Sequence, residues 1–185
     1  MVEPWWIAGG IALDLFVNRQ LRSHHDVDVL VLSKDADTFR RQLSSWDIHA
    51  AVGWAGQPGR SDRLLREWPT GTPLPTDTGA FWCRPTDQDP WHFELLVNPS
   101  RGDRWQFKRS KGITLPLSEI GAVRDGTPYL VPEIVLLHKA TTDTITAQNK
   151  EDLLAVLGSM SPSQRAWLEN AISGWAQNHP WLVYL

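Results

Sequence analysis

The sequence predicts an α/β (α+β) protein, a mixed β-sheet flanked by helices and followed by a C-terminal helical segment. Three observations carry that prediction. Short apolar runs rich in aromatic and β-branched residues, such as Trp5 to Ile7 and Val27 to Leu32, recur up to residue 130. Helix-spaced apolar positions alternate with the first of these runs, and after Pro132 the pattern becomes helical throughout. A soft boundary therefore falls near Leu130, with residues 1–130 as the core and 131–185 as a helical segment packed on it.

Pro4 to Ala8 is a buried strand that stops at the tight turn Gly9-Gly10, and Ile11 to Phe16 continue as a helix around Asp14. A polar stretch, Asn18 to His25, leads into Asp26 to Leu32, whose β-branched richness marks a second buried strand. Asp35 to Trp46 is a helix and Ile48 to Trp54 a strand. From Gly56 to Pro75 the density of Gly, Pro and Arg predicts loops or a flap. Phe81 to Arg84 and Trp91 to Val97 form a hairpin across the turn residues Pro85 to Pro90. Short pieces at Trp105 to Lys108, Pro116 to Ile120 and Thr127 to Leu130 complete a β-rich middle. Helices follow at Pro132 to Thr142, Gln148 to Gly158 and Ser161 to Trp175, the last with Ser161 as N-cap and Pro162 at N1.

With 185 residues the chain has room for one well-cored unit. A net charge of -3 removes any global basic field, which disfavours RNA as a partner without excluding a local basic pocket. The lone Cys83 excludes an intramolecular disulfide and fits a reducing cytoplasm. No apolar run approaches the roughly 18 residues of a membrane span. The eleven Trp residues are scattered, so they are read as core or interface material.

Asp26 and Asp28 are one residue apart on a strand, so both carboxylates leave the same face, their origins roughly 6.5 Å apart. Two like charges so close are unfavourable unless a cation neutralises them, and magnesium takes oxygen ligands and substrate phosphates together. On its own the pair equally fits a strand end facing water. Gly9-Gly10 adds a turn where backbone can approach a phosphate at a helix N-terminus. The order strand, Gly-Gly, helix, basic loop, Asp-x-Asp strand is more specific than either part.

In this order the residues resemble the signature of the nucleotidyltransferase superfamily, nearest the branch of aminoglycoside and lincosamide nucleotidyltransferases and their uncharacterised bacterial relatives. The resemblance extends over WWIAGGIALDLFVNRQLRSHHDVDVLV, WHFELLVNPSRGDRWQFKR, YLVPEIVLLHKATT and KEDLLAVL, and is weak around Gly53 to Thr78. It implies a nucleotidyltransferase-like fold, a nucleoside triphosphate such as ATP as donor, and Mg2+. By position, Gly9 and Gly10 would hold the triphosphate, Asp26 and Asp28 the metal, and Glu94 would be the third carboxylate. Glu94, set among Phe93, Leu95, Leu96 and Val97, would complete the metal shell or act as general base; an edge-strand Glu facing solvent is the plainer reading. Arg22, with Arg19 and His24 beside it, is the preferred phosphate contact, against a solvated loop. Lys139 either reaches the phosphates or lays its stem on apolar surface. Asp14 matches the family too, or serves as a local acceptor. Asn18 replaces a frequent family Gly, Gln148-Asn149 replace a frequent Lys-Asp, and where the family usually has a helix before the first strand this sequence begins almost at the strand, so either that helix is absent or the start is late.

The function this implies is magnesium-dependent transfer of a nucleoside monophosphate to a hydroxyl of an unknown acceptor, a small molecule of antibiotic type in the first instance. Alternatives are a silent nucleotide- or protein-binding module on the same fold, or a toxin-like enzyme acting on tRNA or protein. A cleft for a small acceptor would draw on the Arg60 to Trp68 loop and the C-terminal helices. A His-Asp phosphohydrolase built on His24-His25-Asp26 would take its ligands from helices, not a strand, and a zinc site from Cys83 and His92 lacks paired spacing.

Overall fold

The computed structural model describes residues 3–52, 64–75, 78–141 and 145–185. β1 (Trp5–Ile7) runs into α1 (Gly9–Val17), and a polar loop leads to β2 (Asp28–Leu32). α2 (Ala36–Gln42), β3 (Asp47–Val52), β4 (Leu64–Glu67), β5 (Ala80–Arg84) and β6 (Phe93–Asn98) follow. The short strands β7 (Ser100–Arg101), β8 (Arg104–Phe107) and β9 (Ser110–Pro116) form a small sheet of their own. β10 (Gly121–Arg124) and β11 (Thr127–Leu130) return the chain to the main sheet, and α3 (Pro132–Ala140), α4 (Ala147–Leu157) and α5 (Pro162–Trp175) complete it.

The main sheet has eight strands in the order β10-β11-β1-β2-β6-β5-β3-β4. It is mixed: β1 runs parallel to β11 and β2 parallel to β6, while the other neighbours are antiparallel. Alternation along β2 sorts the two faces. Leu30 and Leu32 join Leu13 of α1, Ile134 of α3, Leu153 of α4 and Leu168 of α5 in one core. Val31 points the other way, into a second core with Phe39 of α2, Ile48 of β3, Phe81 of β5 and Leu95 of β6. Helices thus cover both faces, and Asp28, in phase with Leu30, lies on the face of α1 and α3. Among the described residues no helix is long and apolar enough to cross a membrane.

Local chemistry explains the element ends. Asn18 adopts the left-handed region (φ 56°) at the end of α1, where an Asn side chain tolerates what a β-branched residue would not. α5 starts with a full capping box, Ser161 and Gln164 satisfying each other's backbone N–H. Thr146 caps α4 by accepting from the Asn149 N–H.

Several expectations need correction. β2 starts at Asp28 and not at Asp26, because β1 ends at Ile7 opposite Val29 and offers no strand partner further back. The helix expected to reach Trp46 stops at Gln42, where the Arg40 guanidinium takes the Leu43 carbonyl (3.1 Å) and the Trp68 carbonyl (2.7 Å). Within the expected loop stretch, Leu64–Glu67 is a strand, paired with β3. The flap positions 56–63 lie outside the described residues. Residues 117–119 form a turn, and the strand of that region is β9. Trp68, expected beside an acceptor cleft, is core, stacked on Phe81 with ring centroids 4.4 Å apart.

Candidate active site

β2 and β6 run parallel in a register that sets Asp28 directly opposite Glu94. Paired residues on neighbouring strands project on the same face with Cβ atoms about 5 Å apart, so the two carboxylates start as neighbours. Both line a cavity of about 310 Å³, together with Ala8, Gly9 and Asp26. Its apolar lining includes Leu96, Leu130 and Val135, and its polar lining includes Arg109, His138, Lys139 and Asn149. Glu94 is half-buried, so the strand interior of apolar residues does not enclose it as its sequence context suggested. Asp26 reaches the same cavity from the loop before β2 and is exposed. Among the described residues no three His, Cys, Asp or Glu side chains are gathered at one point.

Gly9 has a structural reason at this spot. Its φ of +59° disfavours any side chain, and an added Cβ would run into the Asp28 carboxylate. Gly10 is equally constrained: a Cβ there would stand 2.5 Å from the His24 ring and 2.6 Å from the Arg22 guanidinium. The strand-to-helix turn and the basic loop therefore pack against each other, and Arg22 and His24 both stand over the first turn of α1.

What holds them there is acidic. Asp14 accepts from the Leu21 N–H (3.0 Å) and contacts His24 Nε2 at 2.6 Å, tying the loop back onto α1. Asp152 of α4, nearly closed off from solvent, meets Arg22 Nε at 3.2 Å and Lys139 Nζ at 2.8 Å. Burial alone would raise the Asp152 pKa; hydrogen bonds from Arg22 and Lys139, and their charges, outweigh it and hold the carboxyl below the usual range. With its amide oxygen turned to Arg22, Gln148 adds acceptance at 2.8 Å. Lys139, on α3, thus reaches the cavity from one side and Asp152 from the other.

Sequence reasoning singled out Gly9, Asp26, Asp28, Glu94 and Lys139, which line one cavity, and Gly10, on which Arg22 and His24 pack. It missed Asp152, Arg109 and His138. A signal for Asp152 existed: it shares a helix face with Asn149 and the buried Val156, where an acid needs a partner. Arg109 comes from the β8–β9 turn, whose approach to the cavity is a matter of tertiary packing. His138 is enclosed beside Trp105 and Phe107; burial, then Arg109 and Lys108 nearby, push its pKa down to about 4. Cys83 is buried and its thiol is pushed up to about 12 by desolvation, which leaves it inert as a nucleophile.

Comparison with known proteins agrees with this architecture. The aminoglycoside-2''-adenylyltransferase family matches residues 1–62, the stretch that carries Gly9, Gly10, Asp26 and Asp28. A crystal structure of ANT(2")-Ia in complex with adenylyl-2"-tobramycin superposes with a TM-score of 0.52 at 13% identity, covering 94% of this chain and 89% of that one. A solution structure of the same antibiotic-resistance factor gives a TM-score of 0.48 at 14% identity over 98% of this chain and 86% of the other. No curated protein matches the sequence. This chain has a nucleotidyltransferase-like fold. Its similarity to the ANT-type enzymes is distant, and at such identity it speaks for the fold alone.

Proposed function

We propose that this protein is a magnesium-dependent nucleotidyltransferase, moving a nucleoside monophosphate from a nucleoside triphosphate, ATP in the first instance, to the hydroxyl of a small-molecule acceptor. One observation carries the reading: Asp28 and Glu94 stand side by side on parallel strands, at the turn where Gly9 opens α1, in one cavity with Lys139. The donor set suits the metal. Magnesium is commonly held by one or two carboxylates plus substrate phosphates and water, so Asp28 and Glu94, with Asp26 on the same cavity, supply enough hard oxygen, and the missing side chain of Gly9 lets the Asp28 carboxylate lie against the turn that opens α1. Bound there, magnesium would neutralise phosphate charge and orient the triphosphate.

The chain's own groups supply the rest. The backbone N–H groups that open α1 and the cations Arg22 and Lys139 would hold the triphosphate oxygens, with His24 beside them. Glu94 would accept the acceptor's hydroxyl proton as its oxygen bonds to the α-phosphorus and the bond to pyrophosphate breaks. The division near residue 130 belongs to the same proposal, with the helical segment contributing Lys139 and Asp152 to the site. A small molecule of antibiotic type is one form the acceptor would take.

A second reading has one observation in its favour. Asp26 is exposed and off the strand, as expected of a module that binds a nucleotide or protein without turnover. Calorimetry with ATP, with and without magnesium, on the wild type and Asp28→Asn tests the proposal. Magnesium-dependent binding that Asp28→Asn weakens supports it, and binding indifferent to both magnesium and the substitution refutes it.

A further inference from the structure

The register that pairs Asp28 with Glu94 does not end there. Trp82 of β5 pairs with Glu94, His49 of β3 pairs with Trp82, and Glu67 of β4 pairs with His49. Asp28, Glu94, Trp82, His49 and Glu67 therefore form one row across five strands, all on the same face. The two acids occupy one end. Beyond them the row continues with an indole and an imidazole, both half-exposed.

This order has a consequence for any transfer at Glu94. A group that takes a proton must be within hydrogen-bond reach of the attacking hydroxyl, and that oxygen must lie some 3–3.5 Å from the reacting atom. With the nucleotide on the Asp28 and Gly9 side, the side of Glu94 left for the body of an acceptor is that of β5 and β3, where Ala80 and Ala51 line the cavity and the row continues with Trp82 and His49. The surface there is built and braced. Trp91 meets Trp82 edge-on at 5.8 Å and His49 at 5.2 Å. The Arg84 guanidinium lies 4.3 Å over the Trp91 ring. Asp47 ties the group together, accepting from Arg84 Nε at 2.6 Å and contacting His49 Nε2 at 2.9 Å. Trp82 Nε1 is enclosed and meets no acceptor among the described residues, so the indole offers a ligand its ring and not its N–H.

Charge decides the class of ligand. The wall carries a cation of its own, Arg84, and its central acid, Asp47, is already bonded to both Arg84 and His49, while Glu67 stands at the far end of the row beyond His49. Flat aromatic surface flanked by fixed donors suits the C–H face and hydroxyls of an uncharged ring. We propose that the Trp82, His49 and Trp91 wall is the acceptor subsite, and that it takes an uncharged, hydroxyl-bearing ring laid against Trp82. This rests on the nucleotidyl-transfer reading above.

The test is saturation-transfer NMR and equilibrium titration of the full chain with two probes, a set of methyl pyranosides and spermine, beside a titration with magnesium ATP. The pyranosides are expected to bind, Trp82→Ala to weaken them about tenfold and Trp82→Phe to recover most of that, in line with what an aromatic face contributes. Magnesium ATP affinity in both variants stays within about twofold of wild type, because the two contacts are separate, and that also shows that the variants fold. Preference for spermine, no pyranoside transfer while ATP binds, or pyranoside binding indifferent to Trp82→Ala overturns the subsite. Failure of wild-type ATP binding instead overturns the nucleotidyl-transfer reading, and with it the acceptor role of the wall.

Discussion

Replacing Asp152 with Asn removes the carboxylate charge that Arg22 and Lys139 share while keeping the shape of the side chain. The Asp152 side chain is 4% exposed, against 27% for Arg22 and 16% for Lys139, so the loss leaves two partly buried cations facing each other without their counter-charge. Breaking a buried ion pair from one side costs about 3–5 kcal/mol, and the partial solvation of both cations puts this case at the low end, about 3 kcal/mol. For a chain of this size that corresponds to a Tm lower by about 6–12 °C. The pH dependence carries a signature. Because the folded pKa of Asp152 is depressed, its contribution is fully present above the unfolded carboxyl value and is lost as pH falls through the lower folded value. Thermal unfolding of wild type and Asp152→Asn should therefore differ most near pH 7, begin to converge below about pH 4 and meet only once the pH has passed the lower folded value. Asp152→Glu, which keeps the charge, should recover part of the difference. A Tm for Asp152→Asn within about 1 °C of wild type at pH 7 would refute the role assigned to this acid.

Gly9→Ala places a side chain at φ +59° and against the Asp28 carboxylate; a loss of about 1–2 kcal/mol from the backbone alone is expected in a denaturant titration, with magnesium-dependent ATP binding abolished in calorimetry. A variant with wild-type stability and binding would show that the turn is not constrained as described. His138 has its pKa lowered to about 4 by burial and by Arg109 and Lys108, so the unfolded chain takes up a proton first as pH falls below about 6.5, and the folded state loses up to about 3 kcal/mol by pH 4. His138→Phe should flatten that part of the stability-pH profile, and an unchanged slope would count against the enclosed, neutral imidazole. Arg22→Gln should raise the ATP dissociation constant by about tenfold, the loss of one charge-assisted contact, and leave a titration with methyl pyranosides unaltered; equal affinity for ATP would remove Arg22 from the phosphate site.

Local signals in the sequence carried much of this site. A glycine pair between strand and helix, then two acids one residue apart, is a pattern with a physical cause at each position, and Gly9 and Asp28 do meet in space. The capping chemistry at Ser161 and the proline starts of α3 and α5 were likewise written in a few adjacent residues. Asp26 was misplaced because strand length depends on the neighbouring strand, and β1 is too short to hold residue 26 in the sheet. β4 was hidden because it lies in a stretch whose density of Gly, Pro and Arg reads as loop, and its antiparallel pairing with β3 is a tertiary matter. Asp152 could be suspected of needing a partner but not matched to Arg22, because it lies 130 residues from Arg22 in the chain and only the packing of α4 on α1 and α3 brings them together.

The most direct measurement is pyrophosphate release from magnesium ATP in the presence of candidate acceptors, with mass spectrometry of the acceptor, for wild type beside Asp28→Asn and Glu94→Gln. The account predicts release that requires an acceptor, an acceptor heavier by one nucleoside monophosphate, and a fall of about 100-fold or more in each variant, the scale typical of losing a catalytic acid-base group. Release at the wild-type rate from Asp28→Asn and Glu94→Gln would contradict it.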